Sequence, residues 1–254
     1  VNPGVSLRRE RGDRFRFAFL QEPPFCVRGP DGEISGCDVE LARIVLARIG
    51  IEQVQLIEAE FSQLLPGLVD GRWEMTTGLF ISEERSKLAS FSHPIWALHD
   101  GLLMLAGHSS GVTGYRSLAS RELGLLGVVE GQIQRFTALR SGFPDRRIRV
   151  FRTQEEAAVA VANGSIDAYA SVAMAHRGYA AIHRSVGFAV VDIPIDEQPP
   201  AHGGFALARK NQALCEAIDR ELHSFLGSAE HRDLMLRYGF SSAEVDRVVA
   251  PGAK

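Results

Sequence analysis

The first eighty residues alternate between two hydrophobic periods, and this alternation limits the chain to very few folds. Residues 15–20 are almost continuously apolar and predict a strand. Across 37–49 the period lengthens to that of a helix, with Leu41, Ala42, Val45, Leu46 and Ile49 on one face and Gly50 closing it. Residues 54–59 alternate as a second strand. Ser62 is placed to cap a helix that buries Leu64, Leu65, Leu68 and Val69 and ends near Gly71, and 73–79 forms a third strand. Strand–helix alternation of this kind predicts a parallel sheet covered by helices, with ligands held at the carboxyl ends of the strands. The loop Gln21-Glu22-Pro23-Pro24-Phe25 follows the first strand and residues 80–85 follow the third, so the two loops meet at one rim.

The pattern restarts after residues 102–105 and the Gly/Ser-rich GHSSGVTG. Strands are expected at 123–129, 148–151 and 167–171. Gly131 opens one helix, and an alanine-rich helix at 154–163 ends at Gly164. The polar, proline-containing IDEQPPAHGG (195–204) reads as a return crossing. A strand at 205–208 follows, then a helix burying Leu214, Ile218, Leu222 and Phe225. The topology repeats without sequence repetition, which predicts two similar lobes: 14–105 with 204–254, and 106–203. Two crossings between them form a hinge with a cleft alongside.

Composition narrows the function. With 28 basic and 31 acidic residues, no net charge draws the chain to nucleic acid or to an anionic membrane. No apolar run approaches the roughly 20 residues that span a bilayer. The opening VNPGVSLRRERGD has basic residues but no apolar stretch after them, so an export signal is expected to have been removed or left out. Cys26 and Cys37 flank a hairpin turn at Gly29-Pro30-Asp31-Gly32, where a disulfide and two free thiols are both open readings. Cys215 lies in a helical pattern and reads as core. None of the cysteines or histidines has metal-ligand spacing. Ser92 and Ser171 lack the setting of an activated nucleophile, and Gly131 opens no phosphate loop. No catalytic residue, metal or cofactor is therefore expected.

One stretch, 78–96, points to a specific chemistry. Ser82 can cap a short helix whose first turn carries Glu83 and Glu84, which suit the positive end of the helix dipole. Arg85 does not suit that end. A guanidinium beside an apolar ring at a strand end can hold a carboxylate bidentately; the plainer reading is a surface arginine paired with Glu84. Phe25, Phe61 and Phe80 would each read as core alone, but their shared place at strand ends makes them pocket walls as a group. Glu22 reads equally as a ligand contact or a solvated loop acid, and Trp73 and Trp96 read as packing residues.

Several motifs, in order, carry a family resemblance: Pro23-Pro24-Phe25, Gly36-Cys37-Asp38-Val39, Leu64-Leu65-Pro66-Gly67-Leu68, Ile81-Ser82-Glu83-Glu84-Arg85 and Phe91-Ser92-His93-Pro94. Together they resemble the family 3 extracellular solute-binding proteins, receptors of polar amino acid ABC importers, from about residue 14 to 245. Receptors for ordinary α-amino acids in that family carry an aspartate, for the ligand's ammonium group, where this chain has Val172. Glu60-Phe61-Ser62-Gln63, Gly78-Leu79-Phe80-Ile81 and the ending Phe225-Leu226-Gly227-Ser228 are similar to the ectoine- and hydroxyectoine-binding branch. The second lobe departs from the family pattern, with Gln132 after Gly131 in place of a hydroxyl residue and Gln134 in place of an acid.

The resemblance implies an α/β, two-lobed, type II periplasmic binding protein fold, each lobe a parallel or mixed sheet flanked by helices. It implies a ligand site of Glu22, Phe25, Phe61, Gly78, Phe80 and Arg85 in one lobe and Gly131, Gln132, Gln134 and Ser171 in the other. Aromatic faces and Glu22 would hold a cation and Arg85 a carboxylate. The implied protein is a monomeric, non-enzymatic receptor for a small zwitterion, serving ABC permease subunits. It would be periplasmic, or lipid-anchored in a Gram-positive organism. A cyclohexadienyl dehydratase-like enzyme and a sensor module of a membrane receptor are the alternatives on the same fold.

Overall fold

The computed structural model describes residues 14–249; the opening segment on which the export-signal reading rests lies outside them. Strand β1 (Phe15–Phe19) is followed by a two-residue-per-strand hairpin, β2 (Val27–Arg28) and β3 (Ile34–Ser35). Helix α1 (Cys37–Arg48) buries the apolar face expected of it. Strand β4 (Val54–Glu58), helix α2 (Phe61–Val69) and strand β5 (Met75–Phe80) complete the predicted alternation. The cap of α2 is Glu60 rather than Ser62, its backbone N–H donating to the Gln63 side chain at 3.2 Å. Ser82 does cap the short α3 (Glu83–Ser86), accepting from the Arg85 N–H at 3.2 Å.

Beyond α3 come β6 (Ala89–Phe91), β7 (Trp96–Leu98), β8 (Asp100–Leu105), α4 (Tyr115–Ala119), β9 (Leu126–Val129) and α5 (Gln134–Arg140). The chain continues through β10 (Ile148–Phe151), α6 (Gln154–Ala162), β11 (Ala168–Val172), α7 (Ala173–Ile182) and β12 (Phe188–Asp192). It returns through β13 (Ala201–Ala208) to α8 (Gln212–Phe225), α9 (Ala229–Arg237) and α10 (Ser242–Asp246).

The first sheet runs β4-β1-β5-β13-β6, with β7 also on β13; the second runs β10-β9-β11-β8-β12. β1 is parallel to β4 and β5, as the alternation requires, and β9 is parallel to β10 and β11. β13 enters the first sheet antiparallel, and β8 enters the second antiparallel. The strand at 102–105 therefore belongs to the second sheet, although the division at 105 assigns it to the first lobe. An apolar run marks a buried strand but not the sheet that receives it.

Apolar packing continues across the cleft. Val172, Met174 and Ala175, from the β11–α7 junction, share a cluster with Phe25, Phe80 and Trp96; Leu103 and Val129 of the second sheet share another with Phe61 and Leu64. The lobes are thus in contact.

No disulfide forms: Cys26, Cys37 and Cys215 are all free and buried. The hairpin register explains this. Val27 pairs with Ser35 and Arg28 with Ile34, so the residue opposite Cys26 is Gly36, and Cys37 is one position out of register. Its thiol instead lies 3.5 Å from the Asp38 carboxylate, to which it donates.

One close approach fixes the hinge side of the cleft. Gly203 on β13 pairs with Phe80 and Trp96, and a Cβ there would lie 1.9 Å from the Trp96 ring. Gly203→Ala must therefore displace an indole that also faces the cleft. The expected cost is roughly 1–3 kcal/mol, read as a lower urea midpoint at unchanged slope.

Candidate functional site

The carboxyl ends of the central strands converge on one chamber between the sheets, nearly filled by its own side chains, with about 20 Å³ of free space. It is lined from the first lobe by Glu22, Phe25, Phe61, Gly78, Phe80, Trp96 and Leu98, and from the second by Gln132, Ile133, Gln134, Ser171 and Val172. A tight turn after β1 sets two of these side by side. The Glu22 N–H donates to the Cys26 carbonyl at 2.9 Å, and the Phe25 N–H to the Glu22 carbonyl at 3.0 Å. Phe80 ends β5. Its ring meets Trp96 edge-on at 5.4 Å, and Phe25 lies tilted against Trp96 at 5.9 Å, giving a three-ring wall.

Glu22 is 5% exposed. Burial pushes its carboxyl up to about 7, the charge of Asp38 pushes the same way, and a hydrogen bond from Ser171 opposes both. Asp38 holds the wall in place from behind. It accepts from the Trp96 indole N–H at 3.4 Å and from the Thr77 hydroxyl, and burial raises its own carboxyl to about 6.

The second lobe is organised around Asp100, the first residue of β8. Its carboxylate accepts from Gln134 Nε2 at 2.8 Å and from the Tyr115 hydroxyl at 2.9 Å, and burial raises it to about 6. Gln134 is thereby fixed in the chamber wall. The Ser171 hydroxyl donates over a long 3.5 Å to the Gln132 side-chain oxygen Oε1.

Arg85 and Gly131 stand beside the chamber rather than in its lining. Arg85 donates to the Phe80 carbonyl at 2.9 Å and to the Gly131 carbonyl at 3.1 Å, tying the two lobes, and its guanidinium lies 5.5 Å from the Phe61 ring centre. Among the described residues it forms no ion pair, so the plain reading as a partner of Glu84 does not hold. A half-buried guanidinium on two neutral carbonyls keeps its full charge available to an anion.

The other predicted residues, Glu22, Phe25, Phe61, Gly78, Phe80, Gln132, Gln134 and Ser171, all line the chamber. Sequence reasoning missed Trp96, Leu98 and Ile133 as lining, and Asp38 and Asp100 as supports. Trp96 was legible only as packing; its position just after the Phe91-Ser92-His93-Pro94 turn, in the last strand before the chain crosses to the second sheet, is the signal that marks it as lining too. Among the described residues no group of three or more His, Cys, Asp or Glu is placed to hold a metal.

Two sheets joined by paired crossings, with a polar–aromatic chamber between them, define a two-lobed solute receptor. The chain belongs to the bacterial extracellular solute-binding proteins, family 3, whose family model matches residues 15–241. It is 29% identical over 234 residues to the probable amino-acid ABC transporter periplasmic-binding protein y4tE of Sinorhizobium fredii, covering 88% of this chain and 76% of that protein. It is similar to the crystal structure of EhuB in complex with hydroxyectoine, with TM-score 0.82 and 27% identity over 92% of this chain and 91% of that one. The fold is shared with the ancestral amino acid-binding protein AncCDT-1, a precursor of cyclohexadienyl dehydratase, at TM-score 0.77 and 21% identity over 89% of this chain and 95% of that one.

Proposed function

We propose that this protein is the periplasmic receptor of an ABC importer and that it captures a small zwitterion of the ectoine type between its lobes. One juxtaposition carries the reading. A buried acid, Glu22, sits beside the Phe25–Trp96–Phe80 wall, and Arg85, with no acid of its own, lies at the rim. A delocalised cation suits the rings and the carboxylate, and the ligand's carboxylate suits Arg85. Val172 lines the place where an ammonium-binding aspartate would stand, and an ammonium left there without a partner would be strongly disfavoured. The likeness to EhuB, solved with hydroxyectoine, supports the same class of ligand.

In this reading the lobes are the two sheets with their helices, and they close about the crossings at His99 and 193–200. Ligand contacts from both lobes favour the closed form that a permease would receive.

A thermal-shift screen over ectoine, hydroxyectoine, betaines, proline derivatives and the common amino acids tests the ligand. At a hundredfold excess over Kd, the true class should raise Tm on the order of 5–10 °C. A larger shift from a common α-amino acid, with none from the ectoines, overturns the ectoine reading.

One observation favours a second reading. A carboxyl held near 7 in an enclosed chamber is suited to general acid chemistry, and AncCDT-1 stands on the path to a dehydratase. No second catalytic group accompanies Glu22 in the lining, so binding remains the preferred function. Turnover of prephenate or arogenate would reverse that preference.

A further inference from the structure

The crossing at the hinge has two faces. Trp96 and Leu98 line the chamber, and by strand alternation Ala97 and His99 turn the other way. On that far face lies a second cavity, with about 350 Å³ of free space and His99 in its wall. Both lobes contribute to it: Glu244 and Arg247 come from α10 and its end, Arg177 and Asp192 from α7 and β12. Leu98 lines both spaces, and the neighbours Val172 and Ala173 line one each, so chamber and rear cavity stand back to back.

The rear walls carry complementary charges that do not meet across the gap. Arg177 pairs with Asp192 within the second lobe at 2.6 Å, and Glu244 accepts from the Ser241 N–H within the first at 2.8 Å. Arg247 donates to the Ala97 carbonyl at 3.4 Å and, among the described residues, forms no ion pair. Burial holds the His99 ring below its ordinary range, and the charges of Arg247, Asp192, Glu244 and Arg177 all act on it, so the four charged ends converge on the crossing. At the front of the cleft the lobes do meet, Arg152 reaching Glu60 at 3.7 Å. Charges joined in front and apart behind are the arrangement of a closed cleft.

Opening turns on the same crossings, so the rear gap narrows as the cleft widens. We propose that Arg247 and Asp192 pair across the rear gap when the cleft opens, forming a latch that holds the unliganded receptor open. Asp192 is suited to this because both its oxygens accept from a single Arg177 nitrogen, which leaves lone pairs for a second guanidinium. The latch rests on the two-lobed closure described above and on no particular ligand. Closure breaks it, so a change at the rear alters affinity without touching the chamber.

Fluorine NMR of the whole protein labelled with 5-fluorotryptophan tests it, because the chain has two tryptophans and Trp96 lines the chamber. Unliganded protein should show an open and a closed Trp96 environment. Arg247→Gln and Asp192→Asn should each raise the closed-to-open ratio about two- to fivefold, the factor one exposed ion pair contributes. The double variant should match either single variant rather than their product. Arg177→Gln, which breaks only the pair within the second lobe, should not raise the ratio. Calorimetry with ectoine should show affinity rising in step with the closed fraction. If Arg247→Gln or Asp192→Asn leaves the ratio unchanged, if their effects multiply, or if Arg177→Gln reproduces them, the latch is refuted and the ligand reading is untouched. If the ratio shifts as stated but ectoine does not bind, the latch stands and the ectoine reading fails. A single Trp96 environment that no variant alters refutes the latch, whether or not ectoine binds.

Discussion

Arg85→Ala should lower affinity for the zwitterion by about two to four orders of magnitude, because two charge-assisted hydrogen bonds at about 1.5–3 kcal/mol each are lost. The fold should survive. Arg85 lies in a four-residue helix whose other residues are exposed, and its own bonds go to the Phe80 and Gly131 carbonyls rather than into a core. Calorimetry would read the affinity, and circular dichroism on the same sample would confirm an unchanged fold. Arg85→Lys should recover only part of the loss, since an ammonium keeps the charge but not the planar fork. Near-parental affinity in the alanine variant would remove Arg85 from the site.

Glu22 should make binding and stability respond to pH in opposite directions. Its carboxyl titrates near 7 in the folded protein, against an ordinary value of 4.5. Between those values the folded state binds more protons than the unfolded one, so the stability of the unliganded protein falls as pH rises through the window. Asp38 and Asp100, each raised to about 6, act in the same direction over a narrower range. A ligand cation needs the carboxylate form, so affinity should rise as pH rises. Between pH 5.5 and 8 the gain should be on the order of 30-fold if only the ionised form binds. Glu22→Gln should weaken binding at pH 8, flatten this pH profile and raise the unliganded melting point there. Melting curves and titrations at both pH values give all three readouts, and an unchanged affinity profile in the variant would place the ligand's cation elsewhere.

Legibility in the sequence followed locality. β1, α1, β4, α2 and β5 were readable because each carries its period within a few residues and is joined to its neighbour by a short loop. Glu22, Phe25, Phe80 and Arg85 were readable for the same reason, since each lies at or shortly after a strand end that the pattern itself locates. What escaped depends on partners distant in the chain. β8 shows an apolar run whichever sheet receives it. α7 begins directly at the end of β11 with no side-chain cap, so no signal separates the two. Asp38 and Asp100 act through Trp96 and Gln134, far away in sequence, and an isolated acid carries no sign of such a partner. The disulfide question turned on a single residue of hairpin register, finer than turn spacing can resolve.

The place of β13 also sets an order of assembly. The second sheet draws all its strands from the continuous segment between Asp100 and Asp192, so it can form as soon as that segment has left the ribosome or the export channel. The first sheet cannot. β13 lies between β5 and β6 and is made after the entire second sheet, so β5 keeps an open, apolar edge until residues 201–208 arrive. Such a late, long-range closure slows folding and leaves an edge open to pairing with other chains. The half of the molecule that carries Glu22, Phe80 and Arg85 is thus begun first and finished last. During that interval it is the part that most needs a chaperone's cover.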